Sequence, residues 1–215
     1  MKPFPAIVLR IAFVAGAIVL WFWTQRLIGG KSAVGDRVGD RLHDWTARWH
    51  AWLTAHPSAA NLTLIVTSAL VDFLGLYVLY LSIFGPTLQP FIALLILFGL
   101  RQVCQAISSL PSPPGVIWRH PGFPSIFVTY GTSNDFFFSG HTAIAVLGAL
   151  QLAHHAPPWL VAVGVAVAFF EAATVIVLRA HYTMDVFTAP FVAWAADAIA
   201  GHLAPSVDHW LARFG

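Results

Sequence analysis

Six long apolar runs constrain the fold of this chain more than any other feature of its sequence. They cover residues 5–28, 59–84, 89–109, 136–153, 158–178 and 182–203. Runs of ~17–25 predominantly apolar residues can cross the hydrocarbon core of a bilayer as helices. Hydrophobic residues make up 58% of the chain and charged residues only 9%, a balance that excludes an ordinary soluble domain. The sequence therefore predicts an all-α integral membrane protein with six transmembrane helices in one domain, residues 1–215.

Net charge, cysteine content and the first apolar run limit the partners and sites that this chain can have. The formal net charge is only +2, so nothing indicates a nucleic-acid partner. A single cysteine, Cys104, excludes an intramolecular disulfide framework and a cysteine-rich metal site. The first apolar run is longer than the core of a signal peptide and lacks a small-residue cleavage pattern, so we expect it to be retained. A multi-pass protein follows, in the inner membrane if its source is bacterial.

The polar segment between the first two runs has helical periodicity. Apolar residues recur at intervals of three and four, and charged residues fill the other face. The apolar positions are Val34, Val38, Leu42, Trp45, Trp49 and Trp52. The pattern predicts an amphipathic helix over about residues 33–55, which lies in the headgroup layer with its tryptophans inward. An extramembrane helix packed on the bundle fits the same pattern.

Six spans place both termini on one side of the membrane. The amphipathic segment, the loop of residues 110–135 and the turn at residues 179–181 then share the other side. Spans four and five form a hairpin between His141 and His181, so both histidines return to the same face. The parity of the spans therefore makes a shared site possible.

The second of these histidines has an acidic neighbour. His181 and Asp185 are four residues apart at a helix start, so they lie on one face about one turn apart. Such a carboxylate can hold one ring nitrogen in a fixed tautomer and stabilise positive charge on the imidazole. The other ring nitrogen is then available as a base or nucleophile.

The first histidine follows two small residues. His141 begins a helix after Ser139 and Gly140, where exposed N–H groups, the serine hydroxyl and close approach at glycine make a cradle for a phosphate oxygen. Together with His181 this pattern indicates phosphoryl transfer through a phosphohistidine. Interhelical hydrogen bonds are another use for membrane histidines. A third interpretation is a Zn²⁺ site with an open coordination position, although no further His or Cys spacing supports it. We expect no metal and no cofactor.

Two carboxylates fall near the middle of predicted spans. Asp72 and Glu171 must there be paired or protonated. Pairing with a structural partner, such as Asp72 with Arg101, is one interpretation. Contact with a cationic headgroup such as choline, aided by tryptophan or tyrosine faces, is the other.

The paired motifs resemble those of a known family. Residues 138–142, FSGHT, and residues 181–186, HYTMDV, closely resemble the motifs of sphingomyelin synthases and related ceramide phosphoethanolamine synthases. These enzymes belong to the type 2 phosphatidic acid phosphatase superfamily. Arg101 with the proline-rich turn that follows it also looks like an upstream family motif, and Asp135 stands near the family's Cys-Gly-Asp. The resemblance covers about residues 101–194.

The resemblance implies six spans and a three-residue catalytic site. His181 would attack phosphorus, Asp185 would orient it and stabilise its charge, and His141 would protonate the departing diacylglycerol oxygen. A lipid alcohol such as ceramide would then lose its proton to His141 and take phosphocholine or phosphoethanolamine from His181. The expected partners are a membrane phospholipid donor and a lipid alcohol acceptor. With water as acceptor the same site would make a lipid phosphate phosphatase, and a silent site would leave a lipid-binding or transport bundle.

Further residues are expected to bind the substrate: Ser139, Gly140, Arg101, Arg179, Asp135 and Tyr182. Arg179 departs from the family pattern, because transferases often carry an acidic residue just before His-Tyr-Thr, where this chain has Ala180. Its planar guanidinium can grip a phosphate, or it can snorkel at the interface. The departure leaves the choice between choline and ethanolamine open.

The family places its site on the outer or lumenal face, and we expect the same here. The positive-inside rule favours the cytoplasm instead, because Lys and Arg are more numerous in short loops on the side of the site. The cations on that side are Lys31, Arg37, Arg41, Arg48, Arg119 and Arg179, against Lys2, Arg10 and Arg213 on the other. Four of the six lie in the amphipathic segment among acids, so we follow the resemblance.

Overall fold

The computed structural model describes residues 4–29, 38–130 and 136–214, which form eight α-helices and no β-strand. The helices are α1 (Phe4–Gly29), α2 (Arg41–Trp45), α3 (Ala47–Ala55), α4 (Pro57–Phe84), α5 (Gln89–Ile107), α6 (Gly140–His155), α7 (Pro158–Val177) and α8 (Thr183–Leu211). A short 3₁₀ turn, Ala212–Phe214, follows α8. The predicted all-α class is confirmed for these residues.

Five helices are long and apolar enough to cross a membrane, namely α1, α4, α5, α7 and α8. They make the chain a multi-pass integral membrane protein. Helix α6 has 16 residues, or about 24 Å at ~1.5 Å per residue, which is less than the ~30 Å of a hydrocarbon core. The predicted count of six spans is therefore not confirmed. Helix α6 packs against α4, α7 and α8, so neighbouring helices rather than lipid cover most of its surface.

Helix α6 starts later than the apolar run around it. The run was predicted to be helical from residue 136, but the helix begins at Gly140, after the N-cap residue Ser139. The Ser139 Oγ atom accepts a hydrogen bond from the Thr142 N–H at 3.3 Å, as a helix cap does. Phe136 and Phe138 precede the cap and are buried in the bundle. Their burial explains the apolar pattern without helical geometry.

Helix α8 ends several residues later than predicted. Pro205 and the polar residues after it indicate a helix end, yet the helix continues to Leu211. Asp208 in this last part accepts a hydrogen bond from the Leu88 N–H at 3.1 Å. It also forms an ion pair with Arg10 at 3.1 Å. Contacts with α1 and with the start of α5 therefore stabilise turns that the sequence pattern does not favour.

Close packing brings α8 against α5 and α6. The buried face of α8 is made of alanine, and Ala189, Ala193, Ala196 and Ala200 are each 0% exposed. Small residues let helix backbones approach one another closely in membranes. The start of α8 therefore lies beside the start of α6, where the other motif is found.

The predicted amphipathic helix is two short helices, α2 and α3, which pack on the bundle. Residues 33–37 of the prediction lie outside the described residues. The face toward the bundle carries His43, His50 and Leu53, which are all buried. The tryptophans face away from the bundle: Trp45, Trp49 and Trp52 are 75%, 62% and 53% exposed. Packing on the bundle thus matches the alternative interpretation, and a place in the headgroup layer stays a prediction.

The segment between α5 and α6 runs along α4 instead of lying only over the helix ends. It contacts α4 first at Asn61, whose side-chain amide donates to the Pro121 carbonyl at 2.9 Å. It reaches as far as Gly75, where the Phe127 ring leaves no space for a Cβ atom. Fourteen residues of helix separate these points, or about 21 Å at ~1.5 Å per residue. Residues 121–127 are irregular, as the predicted loop implies, and they pack along the side of α4.

Candidate active site

The two motifs that were predicted to share a site are hydrogen-bonded to each other. The Ser139 N–H, just before α6, donates to the Asp185 carbonyl in the first turn of α8 at 3.0 Å. The His181 Nδ1 atom lies 2.8 Å from the Phe136 carbonyl oxygen. These contacts join segments that are more than forty residues apart in the sequence. The structure therefore brings His141 and His181 to one end of the bundle.

The contact of His181 with Phe136 determines which ring nitrogen is available. A carbonyl oxygen can only accept, so the Nδ1 atom carries a proton, and in the neutral ring the lone pair is then on the Nε2 atom. His181 is only 4% exposed. A buried, neutral imidazole with an unprotonated Nε2 atom is the form that a nucleophile or base requires.

Asp185 holds its position through the helix start rather than through a hydrogen bond to His181. Its Oδ2 atom accepts from the Tyr182 N–H at 2.8 Å and lies 3.6 Å from His181 Nδ1. A distance of 3.6 Å is too long for a hydrogen bond but allows electrostatic stabilisation of an imidazolium. The Phe136 carbonyl, and not Asp185, therefore fixes the orientation of the ring, and charge stabilisation by Asp185 stays a prediction.

His141 lies in the first turn of α6 and is 7% exposed. Its ring meets the Trp118 ring edge-on, with ring centroids 5.0 Å apart. Trp118 is itself oriented by a hydrogen bond from its Nε1 atom to the Thr129 carbonyl at 3.0 Å. The loop between α5 and α6 therefore supplies one wall of the space around His141.

The predicted phosphate cradle is only partly available for a ligand. Ser139 is 0% exposed and its hydroxyl caps α6, so it has a structural role here. Arg101 lies beside the cap, where its Nε atom donates to the Phe138 carbonyl at 2.9 Å. A Cβ atom at Gly140 would lie 3.2–3.5 Å from the Arg101 guanidinium, so glycine permits this close approach. Arg101 and Gly140 thus lie together at the start of α6, and a role of either residue in substrate binding stays a prediction.

Arg179 binds protein in this structure. Its Nη1 atom donates to the Pro114 carbonyl at 2.8 Å. Its φ angle of 55° is in the left-handed region, which non-glycine residues adopt uncommonly, and it forms the tight turn between α7 and α8. The same turn receives a hydrogen bond from the Ile117 N–H to the Leu178 carbonyl at 2.8 Å. A phosphate-binding role for Arg179 stays a prediction.

Tyr182 and Asp135 are the remaining predicted substrate contacts. Tyr182 is 4% exposed and its ring stacks on His43, with centroids 5.8 Å apart. Burial raises the pKa of its phenol, and the nearby Asp185 and Asp40 carboxylates raise it further. Asp135 lies outside the described residues.

Three residues of the α2–α3 segment support the second motif, and sequence analysis gave them no such role. The His43 Nε2 atom donates to the His181 carbonyl at 2.9 Å, and the His50 Nδ1 atom donates to the Val177 carbonyl at 2.9 Å. Asp40 accepts from both the N–H and the hydroxyl of Thr183, at 2.6 and 2.5 Å. A signal for Asp40 was present, since an aspartate just before a helix start is a typical N-cap.

Asp40 caps two helices at once. Besides Thr183 at the start of α8, its carboxylate accepts from the Leu42 and His43 N–H groups at the start of α2, at 3.0 and 3.3 Å. Burial alone would raise the pKa of Asp40. The hydrogen bonds from Thr183 and the nearby His43 outweigh burial and hold this pKa below its ordinary value of 3.8. Asp40 is therefore ionised at neutral pH and ties α2 to the second motif.

One family model matches most of the chain. A family model described as AtPDCT1/2 matches residues 40–202, about three-quarters of the chain. The chain belongs to the AtPDCT1/2 family. This is a family of phosphatidylcholine:diacylglycerol cholinephosphotransferases, which transfer a phosphocholine headgroup between lipids. No curated protein and no solved structure matches the chain significantly.

Membership of the AtPDCT1/2 family confirms a lipid phosphotransferase in general terms and corrects the resemblance to sphingomyelin synthases. The paired motifs contain the groups that handle phosphorus, two histidines and an aspartate, and none of these identifies the lipid alcohol that accepts the headgroup. The same motifs can therefore suggest the wrong family. The AtPDCT1/2 match begins at Asp40, so it includes α2 and α3 and excludes α1.

The two buried carboxylates differ in their partners. Asp72 accepts hydrogen bonds from Ser125 Oγ at 2.9 Å and from the Ile126 and Phe127 N–H groups at 3.0 Å each. It therefore holds the segment that runs along α4, a role that replaces the predicted pairing with Arg101. Glu171 is 0% exposed in α7 and accepts a hydrogen bond from the hydroxyl of Thr67. In the described ranges, no group of three or more His, Cys, Asp or Glu residues is placed to hold a metal ion.

Proposed function

We propose that this protein transfers phosphocholine from phosphatidylcholine to diacylglycerol through a covalent phosphohistidine at His181. One observation carries the proposal: His181 Nδ1 donates to the Phe136 carbonyl, which leaves Nε2 as a nucleophile next to the motif that contains His141. Membership of a family of cholinephosphotransferases supports the headgroup and the two lipids. Phosphoryl transfer through histidine requires this tautomer.

In the first step, the Nε2 atom of His181 attacks phosphorus. A P–N bond forms as the bond between phosphorus and the diacylglycerol oxygen breaks. His141, in its protonated form, gives a proton to that oxygen, because an alkoxide is a poor leaving group. Diacylglycerol leaves, and phosphocholine stays on His181.

In the second step, the same groups act in reverse. His141, now neutral, takes the proton from the hydroxyl group of a second diacylglycerol. Its oxygen attacks phosphorus, a new P–O bond forms, and the P–N bond to His181 breaks. His141 and His181 are then restored, so the enzyme works by a ping-pong mechanism.

Two residues are proposed to stabilise the charges that develop. Asp185, 3.6 Å from His181 Nδ1, offsets the positive charge of the phosphorylated imidazole. Arg101, buried beside Gly140 at the start of α6, faces the place where phosphate oxygens would lie against helix N–H groups. Both groups are fixed by backbone contacts before substrate binds, so they need little reorganisation during the reaction.

The proposal includes the arrangement in the membrane. We propose that α6 is a sixth, short span enclosed by its neighbours, and that the exposed tryptophans of α2 and α3 lie in the headgroup layer. In the proposed arrangement the site lies on the outer or lumenal side of the membrane. Ser108 is exposed at the end of α5, on the side of the site, so a label at this position reports the orientation. An S108C substitution in a C104S background should react with an impermeant maleimide in intact cells, and labelling only after lysis would place the site inside.

Headgroup exchange between two distinguishable lipids tests the activity. The purified protein is placed in liposomes with phosphatidylcholine that carries a deuterated headgroup and with diacylglycerol of different acyl chains. Mass spectrometry should find phosphatidylcholine with the new acyl chains and the deuterated headgroup. Parallel liposomes contain ceramide in place of diacylglycerol, or no acceptor.

The outcomes separate the candidate reactions. Label in ceramide but not in diacylglycerol would contradict the acceptor, and release of free phosphocholine without exchange would indicate hydrolysis by water. Phosphocholine bound to His181 after an alkaline quench supports the covalent step, and H181A should abolish exchange. Full exchange by H181A would rule out the phosphohistidine.

A further inference from the structure

Aromatic rings of the α5–α6 segment form a cluster next to His141. The Trp118 ring lies 5.0 Å from the His141 ring and 5.0 Å from the Tyr130 ring, centroid to centroid. The His120 ring lies 5.6 Å from Tyr130 on the outer side. Trp118 and Tyr130 are half-buried and His120 is exposed, so the cluster forms part of the boundary between the bundle and its surroundings.

The two central rings are held in fixed positions. Trp118 donates from Nε1 to the Thr129 carbonyl at 3.0 Å, and the Tyr130 hydroxyl bonds to Ser68 Oγ of α4 at 2.5 Å. Ring positions that are fixed before binding reduce the entropy cost of ligand recognition. The catalytic steps described above use neither ring.

The surroundings of the cluster are acidic. Asp72 lies one helical turn from Ser68 in α4, and its oxygens accept three hydrogen bonds. Burial raises the pKa of Tyr130, and Asp72 and Glu171 raise it further although the bond from Ser68 opposes this shift. Tyr130 therefore lies within the electrostatic reach of the Asp72 carboxylate.

Two neighbouring basic groups, Arg119 and His120, do not direct a donor toward the rings, whereas His141 contacts Trp118 and carries a proton only in the first proposed step. The Arg119 Nη2 atom donates to the Pro57 carbonyl at 3.3 Å, so its guanidinium is directed toward the start of α4. The His120 Nδ1 atom accepts from the Gly122 N–H at 3.1 Å, so this nitrogen does not donate toward the rings. Asp72 and the aromatic rings are therefore the groups here that can attract a cation.

We propose that Trp118 and Tyr130 bind the trimethylammonium group of the phosphocholine headgroup and select it over phosphoethanolamine. This inference rests on the proposed function, since it assumes that phosphorus lies between His141 and His181. Because Trp118 contacts His141 directly, a headgroup with its phosphate at the histidines has its cation within reach of the cluster.

The chemistry of the two headgroups gives the selectivity. A quaternary ammonium has no N–H donor, and its methyl groups spread the charge over an apolar surface that suits aromatic rings. A primary ammonium carries three N–H donors, which lose their water partners against rings that offer few acceptors. The site should therefore favour each added methyl group on the headgroup nitrogen.

Paired substitutions test the rings separately from their hydrogen bonds. W118F and W118L both lose the indole N–H, but only W118L loses the aromatic ring; Y130F and Y130L differ in the same way. A cation–π contact of ~0.5–2 kcal/mol corresponds to about two- to thirtyfold in affinity. We expect W118L and Y130L to reduce the preference for phosphatidylcholine over phosphatidylethanolamine within this range, while W118F and Y130F keep it.

Equilibrium binding keeps this test independent of turnover. Retention of phosphatidylcholine, its dimethyl and monomethyl analogues and phosphatidylethanolamine is measured on purified wild-type and variant proteins, with headgroup transfer measured in parallel. Rising affinity with methylation in the wild type, lost in the leucine variants, supports the proposal even if no transfer occurs. Equal affinity for the four lipids, or a preference that the leucine variants retain, overturns it. H181A should lose transfer and keep the wild-type selectivity in binding. Failure of the proposed transfer reaction and failure of the proposed headgroup selection can therefore be told apart.

Discussion

The Nδ1 atom of His181 donates to the backbone carbonyl of Phe136, 2.8 Å away. The first motif therefore fixes the tautomer of the histidine in the second motif. A backbone acceptor cannot be removed by substitution of its side chain. Asp185, at 3.6 Å, is free to act through charge alone.

A substitution at Asp185 should be able to remove its charge and keep its hydrogen bond at the start of α8. A D185N substitution keeps an oxygen that can accept from the Tyr182 N–H, so the start of α8 should persist. It removes the negative charge beside the phosphorylated His181, and we expect exchange to slow by about a hundredfold or more. D185A should also lower the melting temperature, since it removes the cap. A D185N enzyme with wild-type activity would contradict the electrostatic role.

A good leaving group should bypass His141. H141Q removes the general acid, so headgroup transfer from phosphatidylcholine should fall by about 10²–10⁴-fold. With p-nitrophenyl phosphocholine as donor, the departing phenolate needs no proton. Release of nitrophenolate in a single turnover should therefore be reduced far less by H141Q than by H181A. Equal losses with both donors would indicate that His141 acts in some other way.

Gly140 and Gly99 make a matched pair of glycines. A Cβ atom at Gly140 would lie 3.2–3.5 Å from the Arg101 guanidinium, whereas one at Gly99 would meet nothing within 4 Å. G140A should therefore displace Arg101 from the Phe138 carbonyl and reduce exchange. G99A should leave activity unchanged and stabilise its helix by up to ~1 kcal/mol. Exchange rates and melting temperatures of both variants in the same detergent check the contrast.

His50 predicts a pH dependence of stability. Burial lowers its pKa below the ordinary value of 6.5, and nearby Arg179 and His43 lower it further, although its hydrogen bond to Val177 opposes them. As the pH falls through 6.5, the unfolded chain takes up a proton that the folded protein does not, so the free energy of unfolding decreases.

The measurement compares wild type with H50Q, whose amide can still donate to the Val177 carbonyl. Between pH 7.5 and pH 5.5 the melting temperature of the wild type should fall by a few degrees more than that of H50Q, since one group contributes at most ~1.4 kcal/mol per pH unit. Parallel curves for the two proteins would show that His50 is not the group responsible.

The helices and the paired motifs could be predicted because their signals are local. Apolar runs of membrane length located the long helices, and span parity brought His141 and His181 to one end. The role of Asp40 depends on Thr183, 143 residues later, and no periodicity in the sequence connects them. The family was predicted wrongly for a similar reason, because phosphoryl-transfer motifs alone do not distinguish related families of lipid headgroup transferases. Local sequence patterns thus predicted the helices and the motifs, but not the contacts between residues that are distant in the sequence.

Asp72 shows this limit most clearly and gives the last prediction. Its position near mid-span indicated an ion pair or a headgroup contact, whereas the structure uses it to satisfy the N–H groups of Ile126 and Phe127 along α4. Irregular backbone inside a helix bundle requires such partners. D72A should therefore lower stability by ~1.5–3 kcal/mol and loosen the segment that carries Trp118 and Tyr130. D72N, which keeps one acceptor, should lose less. Proteolysis within residues 121–127 should increase in the order wild type, D72N, D72A, and equal protection of all three proteins would contradict this role of Asp72.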